Sequence, residues 1–140
     1  FNTPDELENN FQEGNVLYWA KALLKLTYDV INCAVTQASD PPPLEIPRLC
    51  FIDADLMLAY ASTNKDLRGP RAGGVSASYL AEEEINLDNL FIKYIHNGDP
   101  TPLLEPHEPG YDIAQFLAFT QHVQYFKTGG LAYISDYQGV

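Results

Sequence analysis

Asp136 and Gln138 are the residues of this sequence best suited to chemistry, standing two apart just after the apolar run Leu131-Ala132-Tyr133-Ile134. A carboxylate at the end of a buried strand is held rigidly while it faces a cleft, and a side-chain amide two residues on points the same way. Such a pair orients a hydroxyl nucleophile and offers hard oxygen donors to a metal ion. Taken alone, Asp136-x-x-Gly139 is simply a good turn. His122 lies one helical step from Phe126 and just before Gly129-Gly130, where its ring could reach a metal. With no Cys/His cluster beside it, a satisfied core or boundary histidine is the reading that the residues favour. His96 and His107 fall in polar loops. Glu82-Glu83-Glu84-Ile85 ends an extended run, where edge backbone groups could meet a heterocycle or acidic side chains could simply face water. The segment Gly69-Pro70-Arg71-Ala72-Gly73-Gly74 lacks the GK[ST] ending of a phosphate-binding loop and reads as a variable loop.

These side chains need elements to carry them. Over residues 16–35 the apolar positions Val16, Ala20, Leu23, Leu24, Val30, Ile31 and Ala34 recur at helical spacing, with Lys21, Lys25 and Asp29 as a polar stripe opposite. The spacing predicts a helix capped by Asn15 and stopped by Pro41-Pro42-Pro43. Residues 1–14 are acidic and aperiodic and read as a leader. Residues 48–60 read as strand material with a bulge or bend at Asp53-Ala54-Asp55, residues 61–74 as a mobile basic loop, and residues 76–83 as extended. The polar break at residues 86–89 precedes the apolar stretch 90–96, a turn at Asn97-Gly98-Asp99-Pro100 and a proline-studded loop to Gly110. A second helix is predicted over Tyr111–Lys127, with Ile113, Phe116, Leu117, Thr120 and Val123 on one face and Gly129-Gly130 as a left-handed exit. Residues 131–134 read as a final strand, followed by a turn at Gln138-Gly139. No βαβ rhythm is present, so the expected class is α+β.

The 140 residues, 46% hydrophobic and 12% aromatic, match one compact domain with a sizeable core, and no stretch is apolar enough to cross a bilayer. Eight basic against nineteen acidic side chains give a net charge of −11, which repels nucleic-acid phosphates and anionic lipid and suits a cationic protein partner or plain solubility. Cys33 and Cys50 form no CxxC pair and are too few to staple the domain, so a reduced, intracellular and cytoplasmic chain is expected. Phe1 is no initiator Met and Val140 follows directly on the strand and turn, as in a fragment of something longer. Oligomeric state is not legible.

Four short patterns occur in order: Glu82-Glu83-Glu84-Ile85, then Phe91-Ile92-Lys93-Tyr94-Ile95-His96-Asn97, then Gln121-His122-Val123-Gln124-Tyr125, then Asp136-Tyr137-Gln138-Gly139-Val140. Together they resemble the alpha-type (atypical) protein kinases, in their divergent fungal branch, weakly from Val16 and well from Tyr79 onward. The resemblance implies a partial two-lobed kinase-like fold: N-lobe helix and strands over about 15–83, a hinge at about 82–90 and the start of the C-lobe over about 91–140. It implies a serine/threonine kinase that uses ATP and Mg²⁺ on a protein substrate. Glu83 and Ile85 would present the hinge to adenine, Asp136 would be the catalytic carboxylate, Gln138 would help hold Mg²⁺, and His122 would join a structural Zn²⁺ site whose other ligands this chain lacks. Phe91, Lys93 and Tyr94 match family positions to which no catalytic role is assigned.

The departures matter as well. The family's ATP-gripping lysine precedes the first long helix, whereas only the acidic leader does so here. The second metal-binding aspartate, the remaining zinc ligands and the glycine-rich substrate loop would all follow Val140. The connection at residues 86–90 is longer than usual, and Tyr137 replaces a common aliphatic residue. Because phosphoryl transfer requires the phosphate charge to be neutralised, residues 1–140 alone are expected to be inactive. The alternative function is a pseudokinase-like protein-interaction module.

Overall fold

A computed structural model describes residues 3–43, 45–60, 74–85 and 91–140. The architecture is mixed α+β. In chain order the elements are α1 (Thr3–Gln37), β1 (Ala54–Tyr60), β2 (Val75–Glu82), β3 (Ile92–Lys93), β4 (Ile95–His96), β5 (Asp99–Pro102), α2 (Tyr111–Lys127) and β6 (Gln138–Gly139). The strands pair antiparallel as β1–β2, β3–β6 and β4–β5, and no described helix is long and apolar enough to span a membrane. The chain divides into two compact units. Unit 1 comprises Phe1–Trp19 and Phe51–Glu84, and unit 2 comprises Ala20–Cys50 and Ile85–Val140.

Helix α1 begins at Thr3, so Asn15 is no cap and the acidic leader is helical from Thr3 onward. Asp5 and Glu6 stand in its first turn, where the helix dipole favours anions. Gly14 weakens a helix interior by about 1 kcal/mol relative to alanine. Here docking on β2 offsets that: Leu80 Cδ1 lies 3.8 Å from where a Gly14 Cβ would stand, and Asn10 Nδ2 donates to Ser78 Oγ at 3.0 Å. Residues 48–53 are not strand. The β1–β2 ladder starts at Ala54 opposite Glu82, and its irregularity falls between Ala59 and Tyr60 rather than at Asp53-Ala54-Asp55. The predicted basic loop lies outside the described residues except for Gly74.

Unit 2 is built around α2. Its bounds agree with the sequence pattern, and Gly129 and Gly130 take φ of 66° and 84° at its exit. Buried Ala20, Leu24, Thr27 and Ile31 recur at helical spacing on α1, while Val16 (in unit 1) and Ala34 are exposed. The expected polar stripe contains an ion pair, Lys25 Nζ to Asp29 Oδ2 at 2.7 Å, worth about 0.3–0.5 kcal/mol at such exposure. The helix ends at Gln37, ahead of the prolines. The backbone beyond Pro47 bonds to a side chain instead of a strand: the Tyr28 hydroxyl donates to the Pro47 carbonyl at 2.9 Å and accepts the Leu49 amide at 2.7 Å.

The expected loop at residues 97–110 contains β5, which pairs with β4 and therefore makes His96 a strand residue. Its prolines are tolerated because, among the described residues, β5 has a ladder neighbour on one side only. Residues 131–134 form no strand, and Gln138-Gly139 is strand β6 rather than a turn.

Gly110 precedes α2 at φ 89°, and a Cβ there would stand 3.2 Å from Tyr94 Cε1. Gly129 also has positive φ, but nothing lies within 4 Å of its added Cβ. Gly129→Ala is therefore expected to lower stability by about 1 kcal/mol through backbone strain alone. Gly110→Ala should lower it by about 2–3 kcal/mol because contact is added to strain. Urea unfolding of the two variants checks the difference, and equal losses would remove the steric part of this explanation.

Candidate active site

The segment 134–139 is positioned by the buried polar face of α2. Thr120, Gln121 and Gln124 are all buried, and two of them replace the strand ladder expected at residues 131–134. Gln121 Nε2 donates to the Ile134 carbonyl at 2.8 Å, and the Ile134 amide donates to Gln124 Oε1 at 2.9 Å. The predicted apolar face of α2 is correct at Leu117, Thr120 and Val123. Ile113 and Phe116 are only half-buried, and the two glutamines complete the inner face.

Tyr137 anchors the segment from its other end. Its carbonyl accepts the amides of Tyr94 at 2.9 Å and Ile95 at 3.3 Å. Its hydroxyl lies 3.0 Å from Thr120 Oγ1 and 3.5 Å from Gln124 Nε2, which is also 3.5 Å from Thr27 Oγ1. The proton order follows from counting. Thr120 donates to the Leu117 carbonyl and Thr27 to the Leu23 carbonyl, so each hydroxyl can only accept within the network. Tyr137 therefore donates to Thr120, and Gln124 donates to both Tyr137 and Thr27. Burial pushes the Tyr137 hydroxyl above its ordinary pKa of 10.0, against the opposing pull of its bonds to Thr120 and Gln124, which keeps it a neutral donor.

With Tyr137 turned inward, Asp136 and Gln138 on either side of it are exposed. Asp136 does not end a buried strand. It occupies irregular backbone at φ 62°, a region open to Asp at modest cost, and the Ser135 hydroxyl before it lies 3.1 Å from Asn97 Oδ1. Nor is it carried by a local hairpin. The partner of β6 is β3, whose register sets Lys93 opposite Gln138 and Ile92 opposite Gly139. This pairing brings Lys93 Nζ to 2.6 Å from Asp136 Oδ1, with the two side chains 42% and 44% exposed. Lys93 is the functional candidate that the sequence reading left without a role. Its nearness to Asp136 is a matter of long-range register and leaves no periodic signal.

The remaining predicted residues lie apart from this cluster or in the other unit. His122 is exposed on α2, and among the described residues no three His, Cys, Asp or Glu side chains gather as a metal site would require. His96 Nδ1 accepts the Gly98 amide at 3.1 Å. Glu83 closes the β1–β2 ladder: its amide donates to the Asp53 carbonyl at 2.8 Å and its carboxylate accepts the Asp53 amide at 3.2 Å. That amide is thus engaged within unit 1. Ile85 is half-buried and belongs to unit 2, and the connection at residues 86–90 lies outside the described residues. Unit 1 also has an open cavity of about 530 Å³ lined by Glu6, Asn9, Asn10, Ala77, Ser78 and Tyr79, none of them a predicted site residue.

No family model, curated protein or solved structure gives a match to this chain. The cluster brings together a carboxylate, an ammonium and a side-chain amide, all reachable from solvent, on backbone fixed from beneath.

Proposed function

We propose that this chain is part of an alpha-type serine/threonine protein kinase that transfers the γ-phosphate of ATP to a protein hydroxyl, with Asp136 as its catalytic carboxylate. The observation that carries the reading is the pairing of β3 with β6, because it joins two separate parts of the ordered sequence resemblance into one cluster of Lys93, Asp136 and Gln138. Asp136 Oδ1 is taken by Lys93, and Oδ2 remains available to accept a hydrogen bond from the substrate hydroxyl and orient its oxygen toward phosphorus. As the new oxygen–phosphorus bond forms, the hydroxyl proton passes to Asp136 Oδ2, the bond to the ADP oxygen breaks, and negative charge spreads over the transferred group. The Lys93 ammonium, beside the attacking side, lowers the energy of that charge.

Gln138 remains, by resemblance, the proposed Mg²⁺ contact: its amide oxygen is of the kind Mg²⁺ favours, and the ion, when bound, would neutralise phosphate charge. His122 remains, by resemblance, the proposed contact to a structural Zn²⁺; it is exposed on α2, and among the described residues no further ligand side chains gather around it. Glu83 and Ile85 remain the proposed adenine contacts, by resemblance.

The test is phosphate transfer from labelled ATP to a mixture of protein substrates, using the parent protein with its own flanking sequence. Asp136→Ala is expected to reduce the rate about a hundredfold, as loss of one preorganised catalytic group does. Absence of transfer in the unaltered protein, or full activity in the variant, removes the reading. A second reading, a pseudokinase-like interaction module, has one observation in its favour: Phe11, Tyr18 and Trp19 on α1 are each more than half exposed, Trp19 at 63%. Binding of a protein partner without phosphate transfer would select it.

A further inference from the structure

The Tyr137 hydroxyl is the only polar atom of its side chain, and the network gives it both a donor and an acceptor from two fully buried residues, Gln124 and Thr120. A hydroxyl adds nothing to the packing of the ring, and an aliphatic residue would fill the same space without needing partners. Its function is therefore sought in geometry. The backbone on either side of Asp136 is secured at three points: Ile134 by two glutamine side chains, Ser135 by Asn97, and Tyr137 by its carbonyl and hydroxyl together. The Ser135 contact is a single exposed bond between side chains. The Ile134 contacts are two residues back from Asp136 and leave its own φ free to turn. Tyr137, next in the chain, is held by both its carbonyl and its hydroxyl, and so anchors the backbone directly after the left-handed Asp136 whose carboxylate meets Lys93.

We infer that Tyr137 is a positioning residue: its hydroxyl, clamped between Thr120 and Gln124, locks the backbone of Asp136 and so sets the alignment of that carboxylate with Lys93. The consequence for catalysis rests on the kinase reading, whereas the consequence for Asp136 geometry does not. Misplacement of a reacting group by a fraction of an ångström is enough to slow chemistry while leaving nucleotide binding intact.

The decisive variant is Tyr137→Phe, which keeps the ring and removes the clamp. Backbone couplings and chemical shifts of Asp136, measured by NMR on the isotope-labelled chain, should lose their positive-φ signature. In the parent protein kcat is expected to fall about tenfold with KM for ATP within about twofold of the unaltered protein. Thr120→Val removes the acceptor of the Tyr137 proton, should act in the same direction, and decides the matter if the first variant fails to fold. The double variant should be no worse than the more affected single one, because both remove the same bond. A Tyr137→Phe chain that retains positive φ at Asp136 overturns the inference. If the unaltered protein transfers no phosphate, the kinase reading is lost, and the NMR comparison still decides whether Tyr137 positions Asp136.

Discussion

Ile95→Ala is expected to lower the stability of unit 2 by about 4 kcal/mol, roughly a thousandfold in the folding equilibrium. Ile95 is 0% exposed on β4, a strand of the hairpin on which α2 packs. Alanine removes three carbons, worth about 2.4 kcal/mol of transfer free energy at about 0.8 kcal/mol each. The cavity they leave adds the rest, because α2 above and the β5 backbone beside it are tied by hydrogen bonds and cannot close over the gap. The Ile95 amide still donates to the Tyr137 carbonyl in the variant, so the loss reports packing and not backbone pairing. Ile95→Val, one methylene smaller, should cost about 1 kcal/mol. The check is the urea midpoint at constant denaturant slope. A loss below about 1 kcal/mol for alanine would mean that the hairpin gives way to fill the space, and that it is not the rigid floor beneath Asp136.

What the sequence made legible was the elements whose signals are local. α2 combines apolar periodicity with a Gly-Gly exit, β2 alternates between glycine and polar breaks, and the three prolines stop α1; each needs no partner to be recognised. The start of α1 was misplaced because Gly14 reads as a breaker until β2 is there to meet it. The run at residues 131–134 has strand composition, yet Leu131 is 89% exposed and the backbone groups of Ile134 bond to glutamine side chains. Propensity registers apolar content and carries no information on where the ladder partners come from. The same limit applied at the site. Asp136 and Gln138 stood out by type and spacing, but Lys93 joins them only through the register of two-residue strands far apart in the chain. The buried threonine and glutamines of α2 were hidden because polar residues on a helix are assigned to its outer face by default.

Two glutamines, Gln121 and Gln124, both buried on α2, should respond unequally to the same substitution. Gln124 leaves no polar atom without a partner: both amide protons are donated, to Tyr137 and Thr27, and its oxygen accepts the Ile134 amide. Gln124→Leu keeps the volume but strands the Ile134 donor and takes a donor away from two buried hydroxyls, so a loss of about 3 kcal/mol is expected. Gln121 differs in one atom. Its Nε2 bonds to the Ile134 carbonyl, while its Oε1 is buried and meets no donor. Gln121→Leu removes a bond and an unsatisfied acceptor together, and the two changes nearly offset, leaving a change within about 1 kcal/mol. Urea unfolding of both variants separates the cases. Equal losses would mean that the glutamines act through packing alone and that hydrogen bonding from α2 does not set the course of residues 134–137. A large difference would tie the segment carrying Asp136 to a side chain that links α1, α2 and Tyr137, so that a change at position 124 is read out at the carboxylate on the surface.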